Sequence, residues 1–176
     1  MAEAFGAAEL EAVVPRLRRY ARALTGSREA ADDLTQDALE RAWHKRALWQ
    51  PGTDLRAWMF TIMHNVFVNG MRKGRPTVSM DEVAGEEPRA ASGASVETGI
   101  VLGELARSLS LLPDEQRDVL LLVGLEQFSY AEASEVLGVP IGTVMSRLSR
   151  GRERLRILLE AGSAGGERPA ALRRVK

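Results

Sequence analysis

Ser129-Tyr130-Ala131-Glu132-Ala133-Ser134-Glu135-Val136-Leu137-Gly138-Val139-Pro140-Ile141-Gly142-Thr143-Val144-Met145-Ser146-Arg147-Leu148-Ser149-Arg150 spells two helices and the corner between them. Ser129 and Glu132 form a capping box: hydroxyl and carboxylate each satisfy a backbone N–H left free at a helix start. Gly138 permits the sharp turn that follows. Beyond it, Thr143, Ser146, Arg147 and Arg150 are spaced to share an exposed helical face, with Val144, Leu148 and Leu155 on the opposite, buried one. This is the pattern of a helix-turn-helix whose second helix reads a DNA duplex.

Charge agrees with that reading only when resolved along the chain. Lys plus Arg equals Asp plus Glu, 24 each, so the total announces no nucleic-acid partner. Within residues 141–160, however, Arg147, Arg150, Arg152, Arg154 and Arg156 oppose only Glu153 and Glu160, which concentrates basic charge on one helix. The absence of cysteine excludes disulfides and thiolate metal sites and fits a reducing compartment. No apolar run approaches membrane-spanning length and no signal-peptide pattern is present, so a soluble cytoplasmic protein is expected.

Working back towards the start, the periodicity is helical throughout, and an all-α protein of two small domains is expected. Leu10, Val13, Val14, Leu17, Ala21 and Leu24 recur at helical spacing up to Gly26. Ser27 can cap a second helix running to about Arg46, with Ala31, Leu34, Ala38, Leu39, Ala42 and Trp43 on its inward side. After the Pro51-Gly52 break, Asp54 can cap a third helix reaching about Lys73. Residues 74–98 lose periodicity amid Gly, Pro, Ser and acidic residues, the composition of a flexible acidic linker. Residues 99–160 then form a second helical unit, in which Pro113, Asp114 and Glu115 suit a helix start. Residues 161–176 have the composition of a disordered tail, whose Arg168, Arg173, Arg174 and Lys176 read as solvated charge. Each unit is small enough to bury only about 60% of its unfolded-state surface, which favours an adaptor that gains stability from partners.

The first unit, residues 1–73, carries a second pattern. Asp33, Asp37 and Glu40, with Asp32 and Gln36 beside them, form an acidic stripe on the second helix. Alone it reads as a solvated face. The third helix is apolar over most of its circumference, yet Thr61, Asn65, Asn69 and Arg72 make one polar stripe of hydroxyl and amides suited to base edges. An exposed Trp49 in the preceding loop would offer a stacking platform for an unpaired base.

Ala31-Asp32-Asp33-Leu34-Thr35-Gln36-Asp37-Ala38-Leu39-Glu40-Arg41-Ala42-Trp43 and Leu55-Arg56-Ala57-Trp58-Met59-Phe60-Thr61-Ile62-Met63-His64-Asn65 resemble region 2 of the extracytoplasmic-function sigma factors of the bacterial sigma-70 family. Leu111-Leu112-Pro113-Asp114-Glu115-Gln116-Arg117 and Gly142-Thr143-Val144-Met145-Ser146-Arg147-Leu148 resemble their region 4. The resemblance implies a sigma factor that binds RNA polymerase core and directs promoter-specific initiation. It gives Asp33, Gln36 and Asp37 to docking on the β′ coiled coil, with the β subunit as a further contact. It gives Trp49, Trp58, Asn65 and Asn69 to melting and reading the −10 element. Thr143, Ser146, Arg147 and Arg150 fall to the −35 element, with Arg117 and Arg152 near phosphates. An anti-sigma partner is a family expectation.

The sequence departs from the family in places. Met145 stands where many members carry a basic residue and Ser149 where some carry an aromatic, which implies altered −35 contacts. Ala133-Ser134 replaces a more usual Ile-Ala, at a modest loss of buried area.

Other classes explain less. A conventional helix-turn-helix regulator accounts for residues 129–156 and leaves the acidic stripe and the Asn-bearing helix unexplained. A sigma mimic that sequesters an anti-sigma factor would not need an arginine-rich reading helix. An enzyme is not expected: His44 and His64 lack metal-ligand spacing, and neither a phosphate loop nor a nucleophile motif is present. No cofactor, metal or small-molecule substrate is implied.

Overall fold

A computed structural model describes residues 5–72 and 96–164; most of the linker expected over 74–98 and of the tail expected over 161–176 lies outside the described residues, whereas residues 161–164 still belong to the last helix. Seven α-helices make up the described fold, with no strand among them: α1 (Ala7–Thr25), α2 (Arg28–His44), α3 (Leu55–Arg72), α4 (Val96–Ser110), α5 (Asp114–Leu120), α6 (Tyr130–Leu137) and α7 (Ile141–Ala164). A short 3-10 turn (Arg46–Leu48) follows α2, and a π-turn (Leu121–Leu125) prolongs α5. Residues 96–98, expected at the end of the linker, already belong to α4.

The helix ends follow from local chemistry. Gly26 ends α1 in the left-handed conformation at φ 76°, where a side chain would be strained. Ser27 then caps α2, its Oγ accepting the Ala30 N–H at 3.1 Å. At α3 the Asp54 carboxylate accepts the Arg56 N–H at 2.8 Å. The capping box at α6 is present in both directions: the Ser129 N–H donates to Glu132 at 2.7 Å, and the Glu132 N–H to the Ser129 hydroxyl at 3.2 Å. Gly138 turns the corner at φ 64°, and the Ser134 hydroxyl, on a residue where the family more usually has Ala, donates across it to the Val139 carbonyl at 2.6 Å.

α1, α2 and α3 bury Leu17, Tyr20, Ala38, Met59, Phe60 and Met63 between them. In the second half Val119, Leu122, Ala133, Val136, Val144 and Leu148 do the same. These clusters merge into one continuous core. The small Ala133 packs at zero exposure, as expected for its size.

The halves join at a short strained segment. After the π-turn, Gln127 adopts φ 59°, a conformation that costs a non-glycine residue on the order of 1–3 kcal/mol. Its amide donates to the Gly124 carbonyl at 2.7 Å, while its neighbours Glu126 and Phe128 both reach the first half. The Phe128 ring packs on Phe60 at 5.1 Å and 67°, and the Arg56 guanidinium lies 4.1 Å from its centroid, both favourable aromatic geometries.

One detail differs from the sequence expectation. Trp43 is 46% exposed and does not belong to the inward side of α2. It sits in the last turn, where the neighbouring Ala42 takes the buried position, and its face is covered by the Arg46 guanidinium at 4.7 Å. Pro15 lies inside α1, on its exposed side, where the missing N–H costs least.

Gly151 sets the closest approach in the second half. A Cβ there would meet Leu120 Cδ1 at 3.0 Å and the Gln116 carbonyl oxygen at 3.3 Å, so α7 lies on α5 through a bare backbone. Gly151→Val should lower stability by about 1–3 kcal/mol through overpacking. Gly99→Ala, with nothing within 4 Å of the added methyl, should raise it by up to about 1 kcal/mol; urea denaturation of both variants checks the contrast.

Candidate nucleic-acid interface

The second helix of the helix-turn-helix, α7, presents part of its expected face to solvent. Ser146 and Arg150 are exposed and joined: Arg150 Nε donates to the Ser146 carbonyl at 3.2 Å and its terminal nitrogen to the Ser146 hydroxyl at 3.3 Å. The Ser146 hydroxyl donates in turn to the Thr143 carbonyl at 3.1 Å, so Thr143, half-buried, belongs to the same group. Arg152 is exposed on another side, beside Tyr130, Met145 and Ser149. Met145, at a position often basic in the family, is 53% exposed.

Arg147 does not share that exposed face. It flanks the buried positions Val144, Leu148 and Gly151, keeps only 20% exposure, and ion-pairs with Glu115 at 3.0 Å. Arg117 is buried and held by Asp114, one helical turn earlier. Both arginines are therefore neutralised within the protein, whereas Arg150 forms no ion pair among those described.

In the first half, Asp33 and Gln36 are exposed on α2 and Asp37 is half-buried. Asp37 lines a groove between α2 and α3 together with Glu40, Lys45 and Asn69, which brings an expected polymerase-docking residue and an expected base-reading residue onto one concavity. Asn65 is exposed one turn before Asn69. Trp49 departs from the open platform expected of it: its ring meets Phe5 edge-on at 5.6 Å and 75°, and Trp58 meets the same phenyl at 5.5 Å. Phe5, an isolated aromatic ahead of α1, is 4% exposed and packs between Trp49 and Trp58.

Sequence reasoning missed the residues at the seam between the halves. Glu126 is fully buried and gripped from α1, its Oε2 accepting from Arg16 Nε at 3.0 Å and its Oε1 from Arg19 Nε at 2.9 Å. Arg16 also donates to the Glu126 main-chain carbonyl at 2.8 Å, and Arg56 reaches that carbonyl at 3.4 Å. Arg56 faces Glu132 of α6 at 3.6 Å. Lower in the seam His64 Nδ1 lies 3.5 Å from Asp118 Oδ2, too long for a good hydrogen bond. The one sequence signal was an acidic residue inside the apolar run from Val119 to Phe128.

Burial shapes the titration of this cluster. It pushes Asp118 up to about 7, against the pull of Arg117. It pushes His64 below its ordinary 6.5, with the Arg147 charge adding to the effect. Tyr20, beneath them, is driven well above its ordinary value by burial and then by the Asp118 carboxylate.

An exposed serine and arginine on the second helix of a helix-turn-helix thus follow a three-helix unit that carries an acid-and-amide groove. Residues 10–64 match the family described as the sigma2 domain of PhyR, and residues 102–155 match sigma-70 region 4. The ECF RNA polymerase sigma factor EcfG of Rhodopseudomonas palustris is 37% identical over 157 residues, 89% of this chain and 86% of that one. SigW of Bacillus subtilis, of the same type, is 32% identical over 76% of this chain and 77% of its own. The Bartonella quintana sigma factor RpoE, solved in complex with the anti-sigma factor NepR, superposes with a TM-score of 0.72 at 39% identity, covering 86% of this chain and 94% of that one. The chain belongs to the extracytoplasmic-function sigma factors of RNA polymerase. Among the described residues no helix is long and apolar enough to cross a membrane.

The Asp118 and His64 shifts have opposite consequences for stability. Asp118 holds a proton in the folded state that the unfolded chain, near 3.8, releases. Its contribution is complete below 3.8 and is lost as pH rises through about 7. His64 resists protonation when folded, so its contribution grows as pH rises towards 6.5. Asp118→Asn removes only the falling component. Its urea midpoint should therefore gain more between pH 5 and pH 8 than the wild-type midpoint does, and denaturation at those two values checks the difference.

Proposed function

We propose that this sigma factor docks on polymerase core through Asp33, Gln36 and Asp37, and opens and reads the −10 element through α3 and the loop before it. In the same reading it contacts the −35 element through α7. The observation that carries it is the groove between α2 and α3, where Asp37 and Asn69 line one concavity: the docking surface adjoins the base-reading one. Unstacking bases costs a few kcal/mol each, which a small protein offsets through tethering to polymerase and contacts to the extruded bases.

The roles within each set differ. Asn65 and Asn69, exposed and uncharged, supply donors and acceptors for unpaired bases, while Trp58 and Trp49 with Phe5 form the apolar wall beside them. On α7, Ser146 and Arg150 are the base-edge pair, since an arginine fork matches guanine O6 and N7. Thr143 flanks them and Arg152 supplies phosphate contact. Arg147 and Arg117 join once Glu115 and Asp114 release them. The protein acts in the cytoplasm without catalytic chemistry of its own, and an anti-sigma protein is a further partner, as NepR is of the Bartonella quintana sigma factor.

Reading both elements requires the halves to part. Elements centred at −35 and −10 lie roughly 25 base pairs apart, or roughly 85 Å at 3.4 Å per pair, whereas residues across the seam touch. The 23 residues between α3 and α4 reach at most about 3.3–3.6 Å each, roughly 80 Å, so the chain length permits the separation once the span of each half is added.

Run-off transcription with bacterial core polymerase on promoter libraries tests the assignment. The wild type should yield specific start sites. Asp33→Lys with Asp37→Lys should abolish association with core while the helical circular-dichroism spectrum persists; unchanged affinity for core would contradict the docking assignment.

A further inference from the structure

The arginines that grip Glu126 belong to the first half, and the carboxylate they grip belongs to the second. Arg16 and Arg19 stand one turn apart on α1 and Arg56 opens α3. All three direct guanidinium nitrogens at Glu126 oxygens. Arg16 and Arg19 hold the Glu126 carboxylate and Arg56 its main-chain carbonyl, with Asp54 at 3.7 Å and Glu132 at 3.6 Å from Arg56. When the halves part, Glu126 and Glu132 leave with the second half. Three cations and Asp54 remain, a net charge of plus two on a surface converging on a place shaped for a bidentate oxyanion. Guanidinium forks fit carboxylate and phosphate oxygens alike. Arg56 lies on the same helix as Asn65 and Asn69, so the vacated cradle belongs to the element that faces the opened strands.

We infer that Arg16, Arg19 and Arg56 form an exchangeable phosphate site, occupied by Glu126 while the halves are packed and by promoter-DNA phosphate once they separate. Glu126 thus stands in for a phosphate: the closed protein covers its own DNA-binding cations, and duplex engagement and closure compete for the same guanidiniums. This rests on the promoter-reading function proposed above and adds phosphate contacts to it, from α1 and from the start of the helix that carries the base-reading residues.

The test is equilibrium binding of promoter duplex by reconstituted holoenzyme over a range of salt concentrations, comparing wild type, Arg16→Gln with Arg19→Gln, and Glu126→Gln. Both variants break the same clamp. Only the arginine variant should lose promoter affinity, with the slope of log K against log salt flattened by about 0.9 for each phosphate that is no longer neutralised. Glu126→Gln, which removes the competing carboxylate, should bind at least as tightly as wild type. Arg16→Lys with Arg19→Lys, which keeps the charges, should restore most of the slope and so separate phosphate binding from misfolding. An unchanged slope in the arginine-to-glutamine variant, an equal loss in Glu126→Gln, or weaker binding to core in place of weaker binding to DNA would each overturn the inference. Failure of the wild-type holoenzyme to bind any promoter would instead strike at the promoter-reading function itself, and the inference would fall with it.

Discussion

The fold turns on one carboxylate. Glu126 has no exposed surface, and a buried charge costs several kcal/mol unless it is paired and hydrogen-bonded. Arg16 and Arg19 meet that requirement from helix α1, more than a hundred residues earlier in sequence. The strained Gln127 and the Phe128 ring packed on Phe60 follow from the same placement. Neither half is large enough to bury a generous core alone, and the seam gives each a partner within the chain.

The seam is a compromise. Tyr20 Oη, His64 Nδ1 and Asp118 Oδ1 are buried side-chain atoms without a hydrogen-bond partner, and each such group costs on the order of 1–3 kcal/mol. The Phe60 and Phe128 rings and the Glu126 clamp hold the interface; this polar centre weakens it. An interface of opposed terms is the kind that the proposed parting of the halves on a promoter would require.

What the sequence made legible was local. The capping box at Ser129 and Glu132, the left-handed glycines at 26 and 138 and the helical periods depend on neighbours within a few residues, and each is realised. The exposed positions of Asp33, Asn65, Asn69, Ser146 and Arg150 follow from helical spacing alone. The errors arise where packing across the chain decides. Arg147 has the spacing of an exposed residue but lies beside Gly151, where α5 approaches closely. Trp49 reads as an open platform until Phe5 folds over it, and Trp43 reads as core although Ala42 fills that position. Glu126 stands out only as an acid within an apolar run; its partners lie on α1, and no local pattern announces a pair so distant in sequence.

The central claim is that the free protein is closed through the Glu126 clamp and opens when it engages a promoter. The chain contains no cysteine, so spin labels can be placed uniquely at Glu11→Cys on α1 and Glu135→Cys on α6, both exposed. Pulsed dipolar distance measurement on the free protein should give a single short distribution, replaced by one longer by tens of ångströms in the holoenzyme bound to promoter DNA. The same distance in both states, or a broad and long distribution in the free protein, would contradict the account.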